Sequence, residues 1–468
     1  MAIQAGRIRV LKDVEPRDGA YVLYLMQQGM RSRDNPALEY AVEEANRLGL
    51  PVVAGFGLLD GGAHFPEANA RHYAFLLQGL ADARAGLERR GIAFVLRRAT
   101  PAKAALTLGK KAAMLVLDRG YLTIQKQWYA EIEAGFDGRL VQVEGDVVVP
   151  LEVASGKHEF AARTLRPKLH RTWEPYLAPL RARTVKHSAE DLSLKSDIDV
   201  SDPDAALAAM TLDRDVPPVR RFRGGEVEAH RRLASYLAGP FGEYGTVRNK
   251  PEAGAASHMS PYLHFGQISP VAIALKVQAA KTGGPEDRAA YLEELIVRRE
   301  LAMNHVHTNP GYAAYDTALP DWSRKALAEH ADDPRPHLYD EDALAEGRTH
   351  DEHWNAAMRE MRVTGYMHNH LRMYWGKKIL EWSPSPEEAF AVALRLNNRY
   401  FLDGRDANSF TNVAWLFGLH DRPWGRRKVF GTVRYLGPNT LKKFDAKAYL
   451  KTVDELCRAE GAEDGKAG

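Results

Sequence analysis

The residues from Arg362 to Trp424 hold the chain's densest collection of groups that could do chemistry. Trp375, Trp382, Trp415 and Trp424 fall here beside Arg372, Asp403, Arg405 and Asp406. Each tryptophan buries a large apolar ring and carries one N–H that needs a partner. Charged side chains seldom enter a core unless they are paired. Indoles interleaved with such charges suit a bound aromatic cofactor, with a cation beside its reducible ring and an acid to hold that cation. Arg372 and Trp375 lie three apart and share a helical face, with His368 one turn earlier. Trp382 follows two turns beyond Trp375. This stripe has two readings, core packing or a chain of redox-active indoles.

A second group is ASHMSPYLHFGQIS, Ala256–Ser269. Ser257 and Ser260 offer hydroxyl donors. Pro261 after Ser260 marks Ser260 as an N-cap, and a helix opened by serines is a natural phosphate cradle. A plain capped helix is the competing reading. In EELIVRRELAMNH, Glu294 and Arg298 form an i, i+4 pair, and Glu300 on an isolated helix would be a surface acid. No HExxH or other strong metal pattern occurs among the histidines, and neither GxxxxGK[ST] nor GxGxxG appears, so a P-loop or a typical dinucleotide fingerprint is not expected.

Elements must position these groups. Apolar runs at Tyr21–Met26, Pro51–Gly57, Ile92–Leu96, Met114–Leu117 and Leu140–Val143 alternate with helical spacing at Pro36–Leu48 and Ala70–Arg90. Continuous apolar strands separated by helices predict a doubly wound parallel sheet covered on both faces. Residues 1–150 therefore form an α/β domain. Residues 151–219 read as a long linker with short helices. From 220 to 468 the pattern is helical, with spans at Glu226–Ala238, Pro270–Lys281, Ala289–Val306, Asp351–Met361, Gly365–Glu381, Pro386–Asn397 and Ala446–Glu460, so this half is all-α.

The bulk numbers narrow the class. At 468 residues two domains are expected. Lys plus Arg at 64 nearly balance Asp plus Glu at 61, so a nucleic-acid surface must be a local patch. From His420 to Lys443 seven basic residues, Arg426 and Arg427 among them, face one acid, Asp421. That run is either a solvated face or a phosphate-binding surface. One cysteine, Cys457, excludes an internal disulfide and fits a cytoplasmic setting. No signal-peptide core or eighteen-residue apolar stretch is present.

The motifs RSRDNPAL, SPYLHFGQIS, ELIVRREL, MHNHLRMYWGKKILEW, LDGRD and GLHDRPW run in this order across about four hundred residues. Together they resemble the photolyase/cryptochrome family, and within it the class II cyclobutane pyrimidine dimer photolyases. The resemblance implies an N-terminal antenna domain, a linker and a helical domain holding FAD, active as FADH−. It implies a monomer acting on DNA that contains pyrimidine dimers, by electron transfer to a flipped-out lesion. Carried over by residue, Arg372 would pair with Asp403 beside the flavin, within a DGR turn that includes Gly404 and Arg405. Asn397 would face flavin N5, with Asn408 as the alternative. Ser257, Met259 and Ser260 would contact the pyrophosphate. Glu300 would hydrogen-bond the pyrimidine carbonyls, and Met373 and Trp415 would line the dimer pocket. Asn369, Arg426 and Arg427 would contact DNA. Trp375, Trp354 and Trp382 would relay electrons to oxidised FAD, with Tyr339 as an extra donor. The antenna, an 8-hydroxydeazaflavin or a folate, stays open. Ala407-Asn408-Ser409-Phe410 stands where the family often has Pro-Asn-Gly-Tyr, and Arg298-Arg299 replaces Trp-Arg. A cryptochrome-like blue-light sensor is the rival reading. The short tail ending GAEDGKAG weighs against it, as does the presence of Glu300, Met373 and Trp415. A flavin-binding nucleic-acid protein without photochemistry is a third.

Overall fold

The computed structural model describes residues 3–61 and 65–461, so most of the GAEDGKAG tail lies outside the described residues. The first 150 residues build a six-stranded sheet: β1 (Ile8–Lys12), β2 (Tyr21–Leu25), β3 (Val52–Gly57), β4 (Ala93–Arg97), β5 (Ala112–Asp118) and β6 (Arg139–Val143). Its order is β1-β6-β5-β2-β3-β4. All neighbours are parallel except β1, which pairs antiparallel with β6. Strands β2, β3 and β5 are buried along their whole length, as their unbroken apolar sequence requires. The edge strand β1 was not expected. Its sequence IRVLK is largely exposed and carries no continuous apolar signal.

Residues 151–219 contain one longer helix, Ala162–Thr172, and shorter turns of helix. Beyond them the described residues are helical. Glu226–Ala238 and Ala446–Glu460 fall where the spacing put them. The single helix expected over Ala289–Val306 is instead three pieces. Pro285–Leu292 and Arg299–Thr308 are α-helical, and Glu293–Arg298 between them is a π-helix. A wider turn rotates everything after it around the axis, and such bulges cluster at functional sites.

Two features of the structure steady the site. In the α/β half, helix Ala70–Glu88 carries Arg71, whose guanidinium donates to the carbonyls of Met361 (3.2 Å), Tyr400 (2.7 Å) and Arg362. The next residue, His72, bonds the Phe401 carbonyl at 2.9 Å. These hydrogen bonds pin the chain just before Asp403. In the helical half, Asn369–Trp382 crosses Ala407–Leu416 at Gly376, where a β-carbon would stand 2.1 Å from a Leu416 methyl. A larger residue there would have to push the Leu416 side chain aside, and glycine lets two walls of the site approach closely.

Candidate active site

The DGR turn is tight. A side chain at Gly404 would meet the Asn398 carbonyl oxygen at 2.7 Å, and Arg405 is left-handed at φ 66°. The turn aims Asp403 at Arg372 on the facing helix. Arg372 Nη2 lies 3.1 and 3.2 Å from the two Asp403 oxygens, and its Nε donates to the Met367 carbonyl at 3.0 Å. The guanidinium also stacks 3.7 Å above the Phe401 ring. Both partners are largely buried, so the pair is rigid.

Arg372 and Asp403 share one cleft with Ser257, Met259, Ser260, Asn369, Asn408 and Asn412. Its volume of about 390 Å³ falls in the range of small-molecule sites. Several polar atoms at this cleft are buried without a protein partner: His258 Nδ1, Thr411 Oγ1 and Arg299 Nε. Buried polar groups are nearly always satisfied, so these fit a polar ligand. His258 sits at φ 53°, and burial first, then Arg221 and Arg232, pushes its pKa down to about 3. It faces the cleft as a neutral ring.

Four expectations need correction. Ser260 is not an N-cap. The helix Ser260–His264 starts at Ser260, Met259 holds the cap position, and no side chain caps it. Asn397 is not among the residues that line the cleft. It is buried on Pro386–Tyr400, with its amide on Asn398 at 3.2 Å, and Asn408 is the asparagine on the wall. Arg405 turns away into a second cavity, where its guanidinium donates to the Asn398 carbonyl at 3.1 Å. Glu300 is 1% exposed and faces the α/β half, accepting from the N–H of Val148 at 2.6 Å and of Val149 at 3.3 Å.

The glutamate on the cleft wall is Glu294, 45% exposed and paired with Arg248 at 3.1 Å. The i, i+4 partner expected for it, Arg298, bonds Glu293 instead. The π-helix accounts for both shifts, because it changes which residues share a face. Burial pushes the Glu300 pKa up to about 8, against the opposing Val148 N–H and Arg299. The folded carboxyl thus holds a proton that the unfolded one, near 4.3, has lost. Its contribution to stability is complete below about pH 4 and is lost as pH rises through about 8. Glu300→Gln should therefore gain stability relative to the parent between pH 5 and 8, read by urea unfolding. A stability difference that does not change with pH would contradict this.

Met373 and Trp415 are half-buried and lie one turn beyond wall residues, after Asn369 and Asn412 respectively. Of the basic run, Arg426 pairs with Glu329 at 3.0 Å and Arg427 stacks on Tyr435 at 4.7 Å. Arg434 lies over both Trp424 (4.6 Å) and Trp415 (5.8 Å), linking the basic surface to the cleft rim.

Trp354, Trp375 and Trp382 are buried, but the chain of rings does not follow one helix. Trp375 and Trp382 belong to Asn369–Trp382, whereas Trp354 comes from Glu352–Thr364 and inserts between them. Trp354 Nε1 donates to the Trp375 carbonyl at 3.0 Å, and its ring meets that of Trp382 at 5.5 Å. Tyr339 meets Trp382 at 5.5 Å.

The second cavity, about 180 Å³, lies over the ends of β2 and β3. Aromatic rings of Phe56, Tyr73, Tyr121, Trp128 and Phe265 wall it, and Asp406 borders both cavities. The sequence showed no motif for it, because its residues come from many separate strands, helices and loops.

A sequence signature described as DNA photolyase matches residues 22–185. The deoxyribodipyrimidine photo-lyase of Methanothermobacter thermautotrophicus is 45% identical over 456 residues, 97% of this chain and 99% of that protein. Among solved structures, a bacterial class III photolyase from Agrobacterium tumefaciens superposes with a TM-score of 0.73 at 20% identity, covering 97% of this chain and 94% of that one. The archaeal photolyase from Sulfolobus tokodaii, solved with two FAD molecules, gives 0.66 at 16% identity, covering 95% and 94%. Fold and cleft thus define a protein of the photolyase/cryptochrome class. The chain belongs to the DNA photolyase family and is an enzyme of the deoxyribodipyrimidine photolyase kind. No helix among the described residues is long and apolar enough to cross a membrane.

Proposed function

We propose that this chain is a class II photolyase that reverses cyclobutane pyrimidine dimers in DNA under blue light. The observation that carries this reading is the buried Arg372–Asp403 pair facing a cleft with unsatisfied polar atoms. FAD would occupy that cleft, with Ser257, Met259 and Ser260 toward its pyrophosphate. When bound and reduced, the flavin supplies the light-excited electron that opens the cyclobutane ring.

The protein's own groups prepare that chemistry. Arg372 offsets the negative charge of the reduced ring, and Asp403 fixes the angle of the guanidinium. Asn408, itself held by Asp406 at 3.1 Å, presents an amide toward the flavin edge. Glu294 stands at the open side, where its carboxyl can hydrogen-bond pyrimidine carbonyls as charge builds on them. Met373 and Trp415 would pack against the extruded bases. A dimer stacks and pairs poorly, so extruding it costs less than extruding a normal pair. Residues 1–150 would carry the antenna chromophore in the aromatic cavity, 151–219 connect, and 220–468 bind flavin and DNA.

Binding strength would come mainly from phosphate neutralisation, which weakens with salt. Arg426→Ala with Arg427→Ala should lower the slope of log affinity against log salt by about one unit for each phosphate left without its cation. The flavin spectrum should stay unchanged. An unaltered slope would remove this surface from the DNA interface. The reading as a whole is tested by light-dependent restoration of a dimer-containing oligonucleotide.

A further inference from the structure

The indole chain does not end at Trp382. The Tyr339 ring lies 5.5 Å from the Trp382 ring, and its backbone N–H donates to the Trp382 carbonyl at 3.1 Å. The phenol oxygen sits 2.8 Å from His350 Nδ1 and accepts a hydrogen bond from the His350 backbone N–H at 3.0 Å. The backbone bond occupies one acceptor site of the phenol, and with His350 protonated on Nε2 the phenol donates its own proton to Nδ1. The His350 ring packs on Trp382 at 5.1 Å and stacks on His337 at 3.7 Å. Tyr339 is half-buried, while both histidines are exposed. A proton taken up by His350 therefore has a short way to water.

A phenol is hard to oxidise while it keeps its proton, because the radical cation is a very strong acid. A neutral imidazole at hydrogen-bond distance removes that obstacle. We propose that His350 is the proton acceptor for Tyr339, and that the two together form the terminal electron donor of the indole chain. The step balances. The Tyr339 O–H bond breaks and an N–H bond forms on His350 Nδ1. One electron passes from the phenol to the oxidised Trp382 ring, which returns to its closed-shell form. A neutral tyrosyl radical and an imidazolium remain. The oxidant is the electron deficit begun at Trp375 when the light-excited oxidised flavin is the acceptor, so the inference rests on the relay reading above.

The surroundings keep the base free. The ionisable groups around the His350 ring are His337, Asp351 at the start of Glu352–Thr364, and Lys378 and Glu381 from Asn369–Trp382. Burial, then His337 and Lys378, lower its pKa from the usual histidine value against Asp351 and Glu381. Imidazole is then unprotonated at neutral pH, and the step should fail only in acid.

Flash absorption on protein loaded with oxidised FAD, with nitrogen NMR on the same protein in the dark, tests this. The parent should show an indole radical that converts to a neutral tyrosyl radical, more slowly in D2O. His350→Gln keeps an acceptor for the phenol but cannot hold its proton. It should lose the tyrosyl signal and prolong the indole radical, as Tyr339→Phe does. In the dark, His350 should carry its proton on Nε2, and Tyr339→Phe should shift its titration upward. Full tyrosyl yield in His350→Gln, or a dark proton on Nδ1, would overturn the assignment while leaving the relay standing. Absence of any indole radical in the parent would overturn both.

Discussion

Arg372→Ala is expected to emerge from purification nearly free of flavin, and what flavin it holds should resist reduction. The substitution strands Asp403 in a largely buried position without its cation. Removing one partner of such a pair costs about 3–5 kcal/mol, and the loss falls on whatever the pair positions. About 3 kcal/mol corresponds to a roughly hundredfold weaker complex. Loss of positive charge beside the ring would also disfavour the reduced, anionic flavin. Arg372→Lys restores the charge but not the planar donor that reaches both Asp403 oxygens and stacks on Phe401. It should recover part of the binding. Flavin absorbance of the purified proteins, and redox titration of what remains, check this. Full flavin content and normal reduction in Arg372→Ala would remove the pair from its role.

Trp375→Phe should slow photoreduction of oxidised flavin by orders of magnitude. Trp375 follows Arg372 by one turn and is the first donor of the proposed relay, with Trp354 and Trp382 beyond it. A phenyl ring is far harder to oxidise than an indole, so the first step fails. The fold should tolerate the change, because Trp375 Nε1 is buried without a partner and its loss strands nothing. Chemically reduced Trp375→Phe protein should still restore dimers, since the relay only regenerates the reduced state. Steady illumination of the oxidised protein and a repair assay on the reduced one separate the two. Reduced protein that binds flavin and DNA yet repairs nothing would contradict that division.

The parts of this molecule legible in its sequence are those written in local periodicity. Five strands of the sheet and most long helices followed from apolar spacing, because burial of whole strands and helical stripes leaves a repeating trace. Strand β1 left none, since it is exposed. Helix Ala407–Leu416 was passed over because its first turn, ANSF, is polar on the side that faces the cleft. The charges Arg372, Asp403, Arg405 and Asp406 were legible among the indoles from residue type, while the pairing of Arg372 with Asp403 came from the family resemblance. Glu294 was not legible. Its assignment depends on a π turn at Glu293–Arg298, which ordinary helical spacing cannot foresee. Glu300 sits six positions on and has turned toward Val148 and Val149. The sequence also could not show that Asn408, and not Asn397, lines the cleft. Asn397 lies on the preceding helix and points into its packing, and the turn at Gly404 carries the chain to the opposite wall. The place of Trp354 between Trp375 and Trp382 is likewise tertiary, a meeting of two helices that no single stripe encodes.

The most direct test of the account is repair of a synthetic oligonucleotide holding one cyclobutane pyrimidine dimer. Reduced, flavin-loaded protein would be given the substrate under blue light and in the dark, beside Glu294→Gln and Glu300→Gln. Intact bases should appear only in the light, with the yield per absorbed photon lowered in Glu294→Gln and kept in Glu300→Gln. Bound flavin with no light-dependent loss of the dimer, in protein that binds the lesion, would contradict it and leave a light sensor as the better description.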